Sequence, residues 1–173
     1  MARFEARVRS RLLKQLLLMR HAAAAGKSAA GTDRDRPLTP DGRRAAETLG
    51  RRLKSDGISP DLVLCSPARR ARETLEGLAE ALDALPPADL DDALYLADSL
   101  TLLAQLRGTP GETRCLLLIG HNPGIEELVR ALAPANAAVE AGLPAAGLAI
   151  FQVSGPWSVL SQSTARLAAF VTP

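Results

Sequence analysis

The chain has 173 residues, 47% of them hydrophobic and 23% charged, which suits one domain with a proper core and the composition of a soluble globular protein. A net charge of +2 gives no ground for a nucleic-acid or membrane partner, and basic residues do not alternate with aromatic ones, which make up only 3%. No apolar stretch is long enough to cross a bilayer. The two cysteines, Cys65 and Cys115, each border an apolar run and have no zinc-like spacing, so they read as small buried hydrophobes rather than a disulfide or a metal site. A cytoplasmic monomer is the default expectation.

Residues 1–14 form an Arg-rich extension without the apolar centre of a secretory signal, and residues 15–173 are expected to be a single domain. The first buried strand is predicted at Gln15–Met19 (QLLLM), followed by a polar loop over Ala22–Pro37. Thr39 and Pro40 predict a helix start, with Thr39 as N-cap; the helix runs to about Lys54 with Ala45, Leu49 and Leu53 on one face. A second strand is predicted at Asp61–Cys65 (DLVLC). A helix from Ser66-Pro67 to about Leu85 follows, then an acidic connection over Pro86–Ala97. A helix at about Asp98–Leu106 leads to the third strand, Cys115–Ile119 (CLLLI). Another helix runs from Asn122-Pro123 to about Leu132. Two final strands, Gly147–Val153 and Trp157–Leu160, are expected to form a hairpin through Ser154-Gly155-Pro156. Alternating strands and helices predict an α/β fold, three layers deep, with a mostly parallel central sheet.

The chemistry-bearing residues stand at the ends of these strands. The first runs into Arg20-His21, the second into Ser66-Pro67-Ala68-Arg69-Arg70, and the third into Gly120-His121-Asn122-Pro123. Ligands of open parallel sheets bind beyond the carboxyl ends of the strands, and both histidines of the chain fall there. Ser66 and Asn122 read as caps of helices whose N-termini favour an anion. Arg70, one turn into its helix, offers a planar fork suited to phosphate. An anionic, tetrahedral substrate is the natural guest.

Met19-Arg20-His21 resembles the Arg-His signature of the histidine phosphatase superfamily. The segment Ser66–Thr74 (SPARRARET) is similar to its Ser-Pro-x-x-Arg-Ala-x-x-Thr element, and Gly120-His121-Asn122-Pro123-Gly124 to its second-histidine motif. Together with Asp33–Gly42 (DRDRPLTPDG) and the short length, the set looks most like the SixA-type phosphohistidine phosphatases, over residues 15–132. The resemblance implies a phosphoglycerate mutase-like fold and catalysis without metal or cofactor. In it, His21 attacks phosphorus and forms a phosphohistidine enzyme, Arg20 and Arg70 grip the phosphoryl oxygens, and His121 completes the pocket as a donor. Arg36 is a further phosphate contact or a surface charge pairing with Asp33 or Asp35. Ser66 and Asn122 are binding candidates, and Thr74 is expected to hydrogen-bond behind the site. Arg69, Arg72 and Glu73 read as solvated. No glutamate stands where larger members of the superfamily keep a proton donor; Asp92 is the candidate among Asp91, Asp92 and Asp98. An imidazole leaves more readily than an alkoxide, which favours a protein phosphohistidine as substrate over a small phosphate ester.

A competing pattern lies at His21–Ser28 (HAAAAGKS), one residue away from a nucleotide-binding P-loop. Its first glycine is replaced by histidine, where the turn needs glycine, and no later strand ends in a magnesium-binding aspartate. A sugar-phosphate mutase would use the same nucleophile, but the chain is short for holding a second substrate. An inactive binding module would have no chemical need to keep Arg20, His21, Arg70 and His121 together.

Overall fold

Leu-rich runs with polar flanks become strands here because each is covered on both faces. The computed structural model describes residues 13–26, 31–82, 85–134 and 137–172. Strands β1 (Lys14–Arg20), β2 (Leu62–Cys65), β3 (Asp89–Leu90), β4 (Cys115–Gly120), β5 (Leu148–Val153) and β6 (Ala165–Val171) form one sheet in the order β3-β2-β4-β1-β5-β6. The pairs β3-β2, β2-β4 and β4-β1 are parallel, whereas β5 lies antiparallel to both β1 and β6.

Side chains alternate across β1, and so do the layers. Leu16 and Leu18 face one core, shared with helices α3 (Ser99–Arg107) and α4 (Gly124–Leu132); Leu17 and Met19 face the other, shared with α1 (Pro40–Ser55) and α2 (Arg69–Ala79). A short α5 (Ala137–Glu140) follows α4. The three-layer, mostly parallel α/β/α arrangement expected from the sequence is what forms. Cys65 and Cys115 are both buried and free; β4 sets Cys65 beside Ile119, four residues along from Cys115. At about 3.3 Å per strand residue they stand too far apart to bond. Burial pushes both thiols up to about 12.

Thr39 caps α1, its hydroxyl accepting from the Gly42 amide at 3.0 Å, with Pro40 at the first helical position. The buried stripe of α1 is Gly42, Ala46, Leu49, Gly50 and Leu53, while Ala45 packs partly buried at its edge. Several expectations are corrected. Strand β1 starts at Lys14, whose ammonium donates to the Gly111 carbonyl at 2.9 Å and lies over the Trp157 ring. Helix α2 begins at Arg69, not Ser66, and ends at Ala79, well short of Leu85. Helix α4 begins at Gly124 after a cis Asn122–Pro123 bond, so Asn122 does not cap it. Trp157–Leu160 is no strand. Trp157–Val159 is a 3-10 turn that buries the indole and lets its N–H reach the Thr113 carbonyl at 3.1 Å, and the hairpin partner of β5 is β6. The acidic connection holds two elements that were not expected, β3 and a 3-10 turn at Asp92–Leu94. Residues 1–12, most of the basic extension, and Lys27 and Ser28 of the P-loop-like pattern lie outside the described residues.

Candidate active site

Strand register brings the three motifs together. Arg20 pairs with Gly120 and Cys65 with Ile119, so His21, Ser66 and His121 leave the sheet at one level. The two imidazoles lie 5.0 Å apart, centroid to centroid. Arg20, His21, Asp33, Arg36, Arg70, Tyr95, Leu96, His121 and Asn122 line a cavity of about 630 Å³ above the strand ends, open to solvent.

Proton positions follow from the partners. Arg70 can only donate. Its Nε meets His21 Nε2 at 3.2 Å, so that nitrogen carries the lone pair, and His21 Nδ1–H donates to the Ala22 carbonyl at 2.7 Å. Burial, only partly offset by that carbonyl bond, with Arg70, Arg20 and Arg36 nearby, pushes His21 down to about 4. The ring is therefore neutral, and nucleophilic at Nε2, at ordinary pH. His121 accepts from Arg70 Nη2 at Nδ1 (3.3 Å) and donates from Nε2 to Ser66 Oγ (2.7 Å). Burial, His21 and Arg70 push it down to about 3. With Arg70 donating to it, the pocket side of His121 is an acceptor, and the expected donor role requires a proton on Nδ1. A dianion arriving there favours protonation of Nδ1, which would then donate.

Three other candidates, Ser66, Asn122 and Asp92, take roles different from those expected, while Arg36 makes the pairing with Asp33 that was one of its two expected roles. Ser66 is buried and does not line the pocket; it orients His121 from behind and accepts from the Ala68 amide. Asn122 lines the pocket but spends its amide N–H groups on Glu126 Oε2 (2.7 Å) and the Leu143 carbonyl (3.2 Å), fastening the loop before β5. Arg36 lines the pocket and also donates to Asp33 Oδ1 at 3.0 Å and to the Ala25 carbonyl at 2.7 Å. Asp92 lies outside. Its turn buries Leu94 and points the carboxylate outward onto Arg34, with 79% of the side chain exposed. Arg20 donates to the Leu143 carbonyl at 3.0 Å, and its buried Nε has no partner among the described residues.

Thr74 bridges two parts of the site. Its hydroxyl accepts from the Ala22 amide at 3.0 Å and donates to the Arg70 carbonyl at 2.6 Å. Glu73, expected in solvent, is buried and accepts from the Leu38 amide and Arg69 Nε, both at 2.7 Å, with Arg43 at 3.3 Å. Those donors outweigh the burial cost and hold its carboxyl below the ordinary range. This pins the loop that carries Asp33 and Arg36 against α2.

Asp33 and Tyr95 were missed. Asp33 Oδ2 accepts from the Tyr95 hydroxyl (2.8 Å) and Arg70 Nη2 (3.1 Å), and its backbone carbonyl takes Arg70 Nη1 (2.7 Å). The Tyr95 hydroxyl and Arg36, with Arg70, hold the Asp33 carboxyl far below its ordinary range. One signal was present: Tyr95 is the only tyrosine of an aromatic-poor chain, set in a polar connection. Leu96, beside it at the pocket mouth, holds a φ of 53°. Strain at such a bulky residue marks a segment held in place by its surroundings. Ala97 is part of what holds it, since its carbonyl packs so close to Gly124 that a Cβ there would sit 1.9 Å away.

A family model described as histidine phosphatase superfamily (branch 1) matches residues 16–95. The chain is 35% identical to an uncharacterized Mycobacterium tuberculosis protein over 162 residues, 90% of this chain and 99% of the relative. It is 32% identical to the phosphohistidine phosphatase SixA of Escherichia coli over 122 residues, 69% and 74% of the two chains. A solved Nakamurella multipartitia structure assigned as SixA superposes with a TM-score of 0.81 at 32% identity, covering 93% of this chain and 96% of the other. Together with two neutral imidazoles among three arginines at the strand ends, these matches give one conclusion: the chain belongs to the histidine phosphatase superfamily and is a histidine-nucleophile phosphatase.

Proposed function

We propose that the protein removes phosphoryl groups from protein phosphohistidine, with His21 as nucleophile. The observation that carries this reading is the aim of the His21 lone pair: Nδ1–H is tied to Ala22, so Nε2 faces Arg70 in the pocket. A phosphoryl group is a stronger, charged acceptor than a neutral imidazole, so Arg70 would hand its N–H from His21 to a phosphoryl oxygen on binding. The freed lone pair then attacks phosphorus in line, and water hydrolyses the resulting phosphohistidine enzyme. Arg20, Arg36 and Arg70 would supply the positive charge that phosphoryl transfer asks of a protein, so the reading requires no metal.

Asp33 is the one carboxylate among the described lining residues, and it bears on the leaving group. Asp33 is held ionised by Tyr95, Arg36 and Arg70, so it has no proton for a departing alkoxide. An imidazole needs no such delivery, which supports phosphohistidine over sugar phosphates.

The test is phosphate release from a histidine-phosphorylated protein by wild type and His21→Ala with a metal chelator present, and para-nitrophenyl phosphate alongside. Chelator-resistant release, lost in the variant, is expected. A clearly active variant would sink the nucleophile assignment, and turnover of the ester alone would move the substrate to small phosphate esters.

A further inference from the structure

Asp33 has unused capacity in the pocket. A carboxylate offers roughly four lone-pair positions. Tyr95 and Arg70 fill those of Oδ2, and Arg36 takes one on Oδ1, which leaves a position on Oδ1 open among the described residues. Depth also orders the site. The Arg70 side chain is 3% exposed and His121 2%, whereas the Asp33 and Arg36 side chains are 28% and 27% exposed. A phosphoryl group seated on Arg70 beside His21 therefore directs its leaving atom outward, to the level of Asp33, Tyr95 and Leu96.

A phosphorylated imidazole departs readily only when its far nitrogen carries a proton, because it then leaves as neutral imidazole rather than as an anion. We infer that Asp33 accepts a hydrogen bond from the far N–H of the substrate's phosphohistidine ring and keeps that ring protonated during transfer. The inference rests on the phosphohistidine reading above and adds the residue that selects for it.

The nucleophile is built on the same plan, since His21 Nδ1–H is held by the Ala22 carbonyl at 2.7 Å. The phosphoryl group thus passes between two imidazoles, each with its far N–H on an oxygen. As the His21 Nε2 lone pair forms the new N–P bond, the P–N bond to the substrate ring breaks and its electron pair returns to that ring nitrogen. The substrate's proton stays on its far nitrogen against Asp33, and the positive charge moves from the substrate ring to the His21 ring. No proton is exchanged in the step. An ionised carboxylate is the wrong partner for an alkoxide, which must be given a proton, and the right one for a ring that brings its own.

The experiment compares wild type and Asp33→Asn on two substrates, a histidine-phosphorylated protein and para-nitrophenyl phosphate, which has no ring N–H. Loss of one hydrogen bond to a charged group should lower the ratio of phosphohistidine to ester kcat by about 10- to 100-fold in the variant. An unchanged ratio, with both activities lowered together, would reduce Asp33 to a residue that positions Arg70 and overturn the inference. If the variant does not fold, wild type alone gives the answer. It should accelerate hydrolysis of N-phosphoimidazole, relative to the uncatalysed rate, more than that of its N-methylated form, and equal acceleration would overturn the inference. Failure of the underlying substrate reading looks different: wild type would hydrolyse the ester and leave the phosphohistidine protein untouched.

Discussion

Replacing Thr74 by valine keeps the shape of a fully buried side chain and deletes one hydroxyl. That hydroxyl accepts from the Ala22 amide and donates to the Arg70 carbonyl, so it links the loop after His21 to the helix of Arg70. The Arg70 carbonyl sits within α2 and loses little. The Ala22 N–H is left buried without a partner, at a cost of about 1–3 kcal/mol. Valine regains part of this through its apolar methyl, which leaves a net loss of about 1–2 kcal/mol, or roughly 2–8 °C in Tm for a domain of this size. Activity should fall further than stability suggests. The carbonyl that fixes His21 Nδ1 is that of the same residue, one peptide further along, so loosening Ala22 loosens the aim of Nε2. We expect a loss of about tenfold or more in kcat/KM, since misplacement by about 1 Å alone can cost 10²-fold. Urea denaturation and steady-state phosphate release measure the two effects. Thr74→Ser is the control: it keeps the hydroxyl, loses about 1 kcal/mol of methyl packing and should retain turnover. A valine variant with wild-type stability and turnover, or a serine variant as inactive as valine, would refute the reasoning.

Two further predictions test the electrostatics. The chain has only two histidines, so an NMR titration reads both imidazoles directly. With His21 pushed down to about 4 and His121 to about 3, both rings should remain neutral at pH 5.5, and a midpoint near 6.5 for either would contradict the geometry. Because these folded values lie below the unfolded one, the native state resists protonation. Stability is full above about pH 6.5 and falls as pH drops from there toward the folded values, by up to about 1.4 kcal/mol per pH unit for each ring. Denaturant midpoints between pH 7 and 4.5 should show the decline, and stability rising with acid would contradict the sign. Finally, Asp92→Asn should change stability by less than about 0.5 kcal/mol, the range of an exposed ion pair, and leave ester turnover unaltered. A large loss of kcat would restore Asp92 as a proton donor.

The legible parts of the site were those written as local signals. Met19-Arg20-His21 and Gly120-His121 follow apolar runs that end in polar residues, and Thr39-Pro40 marks a helix start by capping chemistry alone. In the sequence Ser66 reads as a cap, because serine before proline looks the same whether it caps a helix or holds a histidine 55 residues away. Glu73 looked solvated for a similar reason: its charge implies a surface, and only the Leu38 amide and two arginines packed on it make burial tolerable.

Strand ends, a helix cap and side chains suited to phosphate are legible in the sequence, because strand period, caps and side-chain donors are properties of short segments. Which groups meet depends on the packing of the whole sheet. The order β2-β4-β1 aligns strand ends more than 40 residues apart and sets Arg70 between two imidazoles. The same packing brings Asp33 and Tyr95, 62 positions apart, onto that arginine, and turns Asp92 away when Leu94 takes the buried place. Burial among fixed positive charges then leaves both histidines neutral, a property of the assembled site that no single segment contains.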